Sequence, residues 1–143
     1  MKEYQSLSHT RWDCKYHVEF IPKLRKSRIF GTLRKHLGAI FHDLASHKEC
    51  EIVEGHLMTD HVHICISIPP KYAVSNVVGY IKGKSAIQIA RRFGGMQRNF
   101  TGENFWARGY FVSTVGLDEA MVRAYIRNQE EEDERYDQMK LGM

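Results

Sequence analysis

Cysteine is scarce in this chain and provides no framework for disulfide bonds. The 143 residues include three cysteines, Cys14, Cys50 and Cys65, an odd number with no CxxC spacing. Small secreted domains that depend on disulfides carry more cysteines, usually in even numbers. We therefore expect a protein of a reducing compartment. A chain of this length can bury a core without such cross-links.

Long apolar runs are also absent, as is an opening segment of the signal-peptide type. No run approaches about 20 apolar residues, the length that spans a bilayer. Internal repeats and low-complexity stretches are missing as well. These absences predict one soluble, cytoplasmic domain over residues 1–143, with no membrane partner.

The charge that is present is distributed unevenly along the chain. Residues 1–117 hold 17 Lys and Arg against 9 Asp and Glu, a net +8, whereas residues 118–143 hold 4 against 8, a net −4. A basic body favours a polyanion partner, most often a nucleic acid. A solvated, lysine-rich surface is the alternative that charge alone leaves open.

Hydrophobic periodicity predicts the element order β-α-β-β-α-β-α. The predicted strands are residues 12–21, 50–58, 61–68 and 105–115, and the predicted helices begin near Ser27, at an N-cap on Ser75 and at Leu117 or Asp118. Apolar residues at helical spacing should face the core from the first helix: Phe30, Leu33, Leu37, Ile40, Phe41 and Leu44. The first six elements match a ferredoxin-like α+β fold, an antiparallel four-stranded sheet with two helices on one face. The last helix is an addition.

Two histidines flank a valine in the third predicted strand. Because successive side chains of a strand point to opposite faces, the aliphatic residues from Val62 to Ile68 share one face, and His61 and His63 share the other. If the helices cover the aliphatic face, the two imidazoles look out together from the open face, which then needs a cover or a ligand. Such a pair binds a metal ion when a third ligand can reach it.

Tyr125 and Gln129 stand four residues apart in the last predicted helix, so they are neighbours on one of its faces. A packing role is the simple interpretation of Tyr125. Gln129 is less suited to a core, because a buried amide must find hydrogen-bond partners.

His61-Val62-His63, followed by Tyr125 and Gln129, resembles the small single-tyrosine transposases of the His-hydrophobe-His (HUH) nuclease superfamily. Other segments also resemble the bacterial insertion-sequence members of that family, namely residues 9–17, 68–71, 79–85 and 105–116. These motifs occur in the family's order and cover nearly the whole chain. The resemblance therefore implies a single HUH transposase domain, with a C-terminal helix and acidic tail over residues 117–143.

The resemblance also implies roles for particular residues. His61, His63 and Gln129 would bind a divalent cation, Mg²⁺ or Mn²⁺, and Tyr125 would be the nucleophile. The substrate would be single-stranded DNA at the hairpin-bearing ends of an insertion sequence. Excision and integration would proceed through a 5′-phosphotyrosine. The family's working form is a homodimer with shared active sites.

Other polar residues could support the proposed metal site. His17 lies on the polar face of the first strand, which neighbours the third strand in a ferredoxin-like sheet. Both a surface position and a role in orienting a metal ligand are open for His17. Asp60 could orient an imidazole, and His56 could be a spare ligand.

The candidate DNA contacts are cations. Lys84, Arg91 and Arg92 form a basic stripe on the second helix, and Lys82 lies close to them in sequence. Further cations follow the first strand, at Lys23, Arg25, Lys26 and Arg28. Tyr80 and Phe100 could stack on bases, as aromatic residues do in sequence-tolerant binding of single strands.

Three other functions compete with transposition. One is a domesticated endonuclease of the same fold that cuts hairpin repeats. The second is a non-enzymatic nucleic-acid-binding module, which would show aromatic residues where the third strand shows His61 and His63. The third is a metal-dependent hydrolase in which Tyr125 is structural, and this enzyme would tolerate Tyr125→Phe.

Overall fold

The architecture of the chain is taken from a computed structural model, which describes residues 5–7, 10–26, 28–93, 105–116, 123–124 and 126–128. Its elements in chain order are β1 Gln5–Leu7, β2 Thr10–Trp12, β3 Lys15–Phe20, a 3₁₀ turn Lys23–Arg25, α1 Gly31–His47, β4 Glu51–Leu57, β5 Val62–Ser67, α2 Val74–Phe93 and β6 Phe111–Thr114. Residues 123–124 and 126–128 are helical. None of the described helices combines the length and apolarity that crossing a membrane requires.

The main sheet has four antiparallel strands in the order β4-β5-β3-β6. Strands β3 and β5 are the central pair, and β4 and β6 are the edges. Helices α1 and α2 contribute to the same apolar core as the aliphatic side chains of β3 and β5. This arrangement confirms the predicted ferredoxin-like α+β fold.

The start of the first predicted strand differs from expectation. Trp12 ends β2, which pairs with β1 in a separate two-stranded sheet, and β3 begins only at Lys15. Asp13 and Cys14 belong to neither strand, and the Cys14 carbonyl accepts a hydrogen bond from the Ile68 N–H (2.9 Å). Period-2 alternation runs through both segments, so it does not show the break between them.

The helix boundaries also shift. Ser27 lies outside the described residues, and α1 begins at Gly31 after an extended Phe30 (φ −151°, ψ 169°). Phe30 is therefore 62% exposed, contrary to its predicted place in the core, and Leu33 is only half-buried. The other core residues predicted on this helix are buried, as expected.

Helix α2 begins at Val74, so Ser75 is inside it and is not the predicted N-cap. The Ala73 carbonyl accepts the first hydrogen bonds of this helix, from the N–H groups of Asn76 and Val77 (3.1 and 3.2 Å).

The fourth predicted strand is shorter than its composition suggested. Only Phe111–Thr114 is a strand, and the stretch before it is a loop fixed by other contacts. Trp106 packs edge-on against Phe20 with 4.8 Å between ring centroids, and its indole N–H donates to Ser85 Oγ (3.0 Å). The Lys82 ammonium donates to the carbonyl oxygens of Ala107 and Gly109 (2.8 and 2.6 Å).

A β-bulge in β4 decides which of its side chains share a face with the histidines. Ile52 pairs with Ile66, but Glu54 rather than Val53 pairs with Cys65. One extra residue reverses the alternation from that point on. Glu54 and the residue two further along, His56, therefore lie on the same face as His63.

Candidate active site

The polar face of the sheet is built by register between three strands. His63 on β5 pairs with Glu19 on β3 and with His56 on β4. One step along, Cys65 pairs with His17 and Glu54. Directly opposed residues of antiparallel strands point to the same side, so these residues form one surface, here called the histidine face.

The histidine face is covered at His61 and His63, in agreement with the expectation that this helix-free face needs a cover or a ligand. His61 and His63 are each only 3% exposed. Part of the cover comes from the helical residues near the C-terminus. The Nε of Arg123 and the Nη2 of Arg127 both donate to Glu54 Oε2, at 3.1 and 3.0 Å. Ile126, between these arginines, is fully buried.

His61 is oriented by Asp60. The hairpin turn between β4 and β5 is closed by the Met58 N–H, which donates to the His61 carbonyl (2.9 Å). In this turn Asp60 Oδ1 accepts a hydrogen bond from His61 Nδ1 (2.7 Å), and its Oδ2 accepts one from Arg25 Nε (3.1 Å). A proton on Nδ1 leaves the lone pair on Nε2, the form that ligates metals. The role foreseen for Asp60 fits this geometry.

The charge of Asp60 supports this tautomer. Burial would raise the pKa of Asp60, but the hydrogen bonds and charges of His61 and Arg25 outweigh burial and lower it. Asp60 is therefore an ionised acceptor for the His61 N–H.

His63 contacts one polar group through each ring nitrogen. Its Nδ1 lies 3.3 Å from His17 Nε2, and its Nε2 lies 3.6 Å from Glu19 Oε1. Burial and the neighbouring histidines lower the pKa of His63 to about 3, so the imidazole is neutral near pH 7. A neutral imidazole is the protonation state that metal binding requires.

His17 is buried beside His63 and is not a surface residue. It is 8% exposed, and its ring is stacked near that of His63 with 5.6 Å between centroids. Burial lowers the pKa of His17, against the opposing effect of Glu19. The surface interpretation of His17 is thus wrong, and the interpretation as a partner of the site fits its position.

One side-chain set in the described part of the chain has the spacing of a metal site. It comprises His17, Glu19 and His63, each of which offers a ligand atom within 4.8 Å of those of the other two. The ring of His61 lies beside this set, with 4.6 Å between its centroid and that of His63. Sequence reasoning missed Glu19 and Glu54. Glu19 could have been found, because it shares the polar face of the first strand with His17.

Two predicted site residues, Tyr125 and Gln129, lie outside the described residues, and so does Phe100. The described residues on either side of Tyr125 are helical, and Arg123 and Arg127 bind Glu54 on the histidine face.

The candidate DNA contacts fall in two places. Lys84, Arg91 and Arg92 are exposed on α2, which covers the aliphatic face of the sheet, so they lie across the sheet from the histidines. Lys82 is half-buried on its two carbonyl partners, and burial lowers its pKa. By contrast, the exposed Arg25 contacts Asp60 and so lies next to His61.

Comparisons with known proteins identify the family of the chain. Residues 10–129 match the family described as "Transposase IS200 like". The chain is 40% identical over 141 residues to the transposase for insertion sequence element IS200 of Salmonella typhimurium, covering 99% of this chain and 93% of that protein. It is 27% identical over 123 residues to the ISDra2 transposase TnpA of Deinococcus radiodurans, covering 85% of this chain and 88% of that one.

Solved structures match as well. A crystal structure assigned as a transposase of Deinococcus radiodurans R1 superposes with a TM-score of 0.68 at 27% identity, covering 90% of this chain and 98% of the other. The structure of a REP-associated tyrosine transposase bound to a REP hairpin superposes with a TM-score of 0.58 at 16% identity, covering 88% of this chain and 68% of the other. This second likeness is one of fold alone. The family match spans the sheet, both helices and the histidine pair, and the chain therefore belongs to the IS200-like transposases, with DNA transposition as its function.

Proposed function

We propose that this transposase cuts and rejoins single-stranded DNA at the ends of an insertion sequence through a covalent 5′-phosphotyrosine on Tyr125. The observation that carries this proposal is the histidine face. Two buried imidazoles lie side by side there, and the helical residues that flank Tyr125 dock on the same face through Glu54. This docking brings the segment that would carry the nucleophile to the sheet that carries the histidine pair.

The covalent step balances without an energy cofactor. The phenolic oxygen of Tyr125 forms a bond to the scissile phosphorus, and the bond from phosphorus to the 3′-oxygen breaks, leaving a 3′-hydroxyl. The phosphate ester on the tyrosine keeps the energy of the original phosphodiester. A 3′-hydroxyl of another strand can then attack that ester, which rejoins DNA and releases Tyr125.

A divalent cation, Mg²⁺ or Mn²⁺, fits this site. His61, His63 and Gln129 would hold it. The fit rests on two features of the described residues: His63 is neutral, and Asp60 and His17 are placed to fix the ring orientations of the two histidines. A bound ion would supply charge stabilisation at the non-bridging oxygens of the scissile phosphate.

Two groups of cations would contact DNA. The loop around Arg25 lies next to His61 and would follow the backbone of the single strand near the cleaved phosphate. Lys84, Arg91 and Arg92, across the sheet, would contact a more distant part, such as the stem of a hairpin. Lys82 would act mainly by holding the loop at Ala107 and Gly109, since two of its N–H donors are used there.

The proposed working form is a homodimer. Because Arg123 and Arg127 bind Glu54 of their own chain, the DNA-free protein would keep each tyrosine helix on its own subunit. Mixing His61→Ala and Tyr125→Phe subunits tests this arrangement. Recovery of adduct in the mixture would show shared active sites, and its absence would show that each chain uses its own tyrosine.

The primary test is an adduct assay. Purified protein is incubated with Mn²⁺ and single-stranded oligonucleotides from the DNA that flanks its gene, labelled on the 3′ side, and run on a denaturing gel. We expect a labelled protein band that Tyr125→Phe, His61→Ala and a chelator each abolish. Cleavage that survives Tyr125→Phe would contradict the proposal and indicate a metal-dependent hydrolase. Tight binding of a hairpin without cleavage would indicate a binding module.

The same oligonucleotides distinguish a mobile element from a domesticated endonuclease. A transposase should join the two element ends into an excised product and reseal the donor strand. An endonuclease of hairpin repeats should cut without producing that junction. The 40% identity to an insertion-sequence transposase, against 16% to the hairpin-bound structure, favours the first outcome.

A further inference from the structure

Glu19 stands opposite His63 in the two central strands, at a spacing longer than a hydrogen bond. Glu19 Oε1 lies 3.6 Å from His63 Nε2, beyond the range of 2.7–3.2 Å typical of N–H···O bonds. A carboxylate oxygen and an imidazole nitrogen therefore face each other across a small gap.

The gap has the size that a shared cation requires. Two ligand atoms at about 2.1 Å from one ion lie roughly 3.0 Å apart at the right angle of an octahedral site and roughly 3.4 Å apart at a tetrahedral angle. The observed 3.6 Å is close to the larger of these separations. A ring nitrogen of His17 also lies within 4.8 Å of a ligand atom of each.

The orientation of His63 agrees with such an ion. If His63 ligates through Nε2, its Nδ1 carries the proton and can donate it to His17 Nε2, 3.3 Å away. His17 then orients His63 in the way that Asp60 orients His61. Both central strands are paired across six residues each, so the sheet itself fixes the spacing of Glu19 and His63.

The chemistry of the ligand set changes when Glu19 joins it. Imidazole and amide ligands are neutral, and imidazole suits Zn²⁺ or Ni²⁺, whereas carboxylate oxygens suit Mg²⁺ and Mn²⁺. A carboxylate beside the histidines would bring the site toward the hard cations that phosphoryl transfer uses.

We propose that Glu19 is a metal ligand of this transposase, so that the cation site assembles on strands β3 and β5 before the tyrosine helix or DNA contributes. This inference rests on the proposed function, because it concerns the metal that serves the same reaction. Glu19 on β3 would bind the cation together with His61 and His63. Gln129 would join this ligand set only afterwards.

Binding of Mn²⁺ to the DNA-free protein tests the inference directly, by isothermal titration and by the loss of free Mn²⁺ signal in electron paramagnetic resonance. The variants are Glu19→Gln, Gln129→Ala and Glu51→Gln. The last is a matched control, because Glu51 is an exposed glutamate on the neighbouring strand β4. Substitution of a residue that only supports a metal ligand lowers metal affinity by about 10–100-fold. Loss of a direct ligand should therefore weaken Mn²⁺ binding by at least about tenfold.

We expect the Mn²⁺ affinity of Glu19→Gln to fall by at least this factor and that of Gln129→Ala to fall by less. The Mn²⁺ affinity of Glu51→Gln should match that of the unmodified protein. Glu19→Asp keeps the charge but shortens the reach and should give an intermediate affinity. Equal Mn²⁺ affinity in Glu19→Gln and the unmodified protein would overturn the inference, as would a larger loss in Gln129→Ala than in Glu19→Gln.

The adduct assay separates this inference from the proposed function. Tyr125→Phe should bind Mn²⁺ normally and form no adduct. If Glu19→Gln bound Mn²⁺ normally while adducts still depended on Tyr125, only the role of Glu19 would be wrong. If the unmodified protein formed no adduct but lost Mn²⁺ on Glu19→Gln, only the proposed reaction would be wrong.

Discussion

Strands β3 and β5 present aliphatic side chains to helices α1 and α2 on one face of the sheet, and His17, Glu19 and His63 on the other. Both faces are closed to solvent at their centres, since Ile66 is 0% exposed and His63 is 3% exposed. Burial has a different effect on the free energy of folding at each face. Removing aliphatic surface from water stabilises the fold by about 25 cal/mol per Å². Burying an imidazole costs free energy unless its nitrogens find partners.

This difference separates stability from chemistry on a single set of strands. The core face should determine how stable the protein is, and the histidine face should determine what it does. Substitutions on the two faces of the same strand can test that separation.

The largest effect is expected from the histidine face. His63→Ala removes a proposed metal ligand, so the rate of adduct formation should fall by at least about a thousandfold, as for loss of an essential catalytic group. The free energy of unfolding in urea should fall by less than it does for the core substitution described next. A variant that kept adduct formation within tenfold would show that the chemistry does not depend on this face.

On the core face of the same strand, Ile66→Ala should lower the free energy of unfolding by about 2–5 kcal/mol, because it leaves a cavity beneath α1 and α2. Urea denaturation followed by circular dichroism measures the loss. Adduct formation per folded molecule should stay close to that of the unmodified protein. A large loss of activity in the folded fraction would mean that the two faces are coupled.

Glu54→Gln should have an intermediate effect, because it weakens the contacts that dock the helical residues on the histidine face. We expect adduct formation to slow by about tenfold, since misplaced reactive groups lose rate steeply. Mn²⁺ affinity should be unchanged, which distinguishes positioning from metal binding. Glu51→Gln is the control, and Glu54→Asp should recover part of the rate. An unchanged rate in Glu54→Gln would exclude a positioning role.

The same contact should respond to acid. Burial would raise the pKa of Glu54, but hydrogen bonds from Arg127 and Arg123 lower it below its ordinary value of 4.5. A lowered pKa contributes stability that is present above 4.5 and is lost as pH falls through the lower value of the folded state. The difference in unfolding free energy between the unmodified protein and Glu54→Gln should therefore persist at pH 7 and shrink below pH 4.5. A difference that is independent of pH would contradict this account.

The smallest effect is expected far from the histidines. Arg91→Gln on α2 should weaken DNA binding a few-fold for every sequence and reduce the salt dependence of binding by about one unit of slope. Fluorescence anisotropy with a hairpin oligonucleotide at several salt concentrations measures both. An unchanged slope would remove Arg91 from the DNA interface.

Much of the fold was predictable because it depends on local pattern. Period-2 alternation and helical spacing located the strands of the main sheet and both of its helices. The element boundaries were predicted wrongly where tertiary contacts override the local sequence pattern. Residues 105–110 have the composition of a strand. However, Trp106 packs against Phe20 in the core, and Lys82 donates hydrogen bonds to the carbonyl oxygens of Ala107 and Gly109.

The candidate site was predictable only in part. His61 and His63 stand two residues apart, and alternation along one strand is enough to put them on one face. Glu19 and Glu54 come from other strands, so their approach to the site depends on cross-strand register and, for Glu54, on the bulge at Val53. Pairing between distant segments leaves no signal in local periodicity.

By itself, the sequence determined the ferredoxin-like order of elements, the histidine pair and the family to which the protein belongs, because these depend on residue types and short spacings along the chain. Only the tertiary structure decided that the two histidines are buried, that His63 is neutral, that Asp60 and His17 orient the two rings, and that Glu19 faces His63 across a gap suited to a cation. The physical reason is that protonation, hydrogen bonding and ligand spacing depend on distances between strands. Those distances exist only after the sheet has formed.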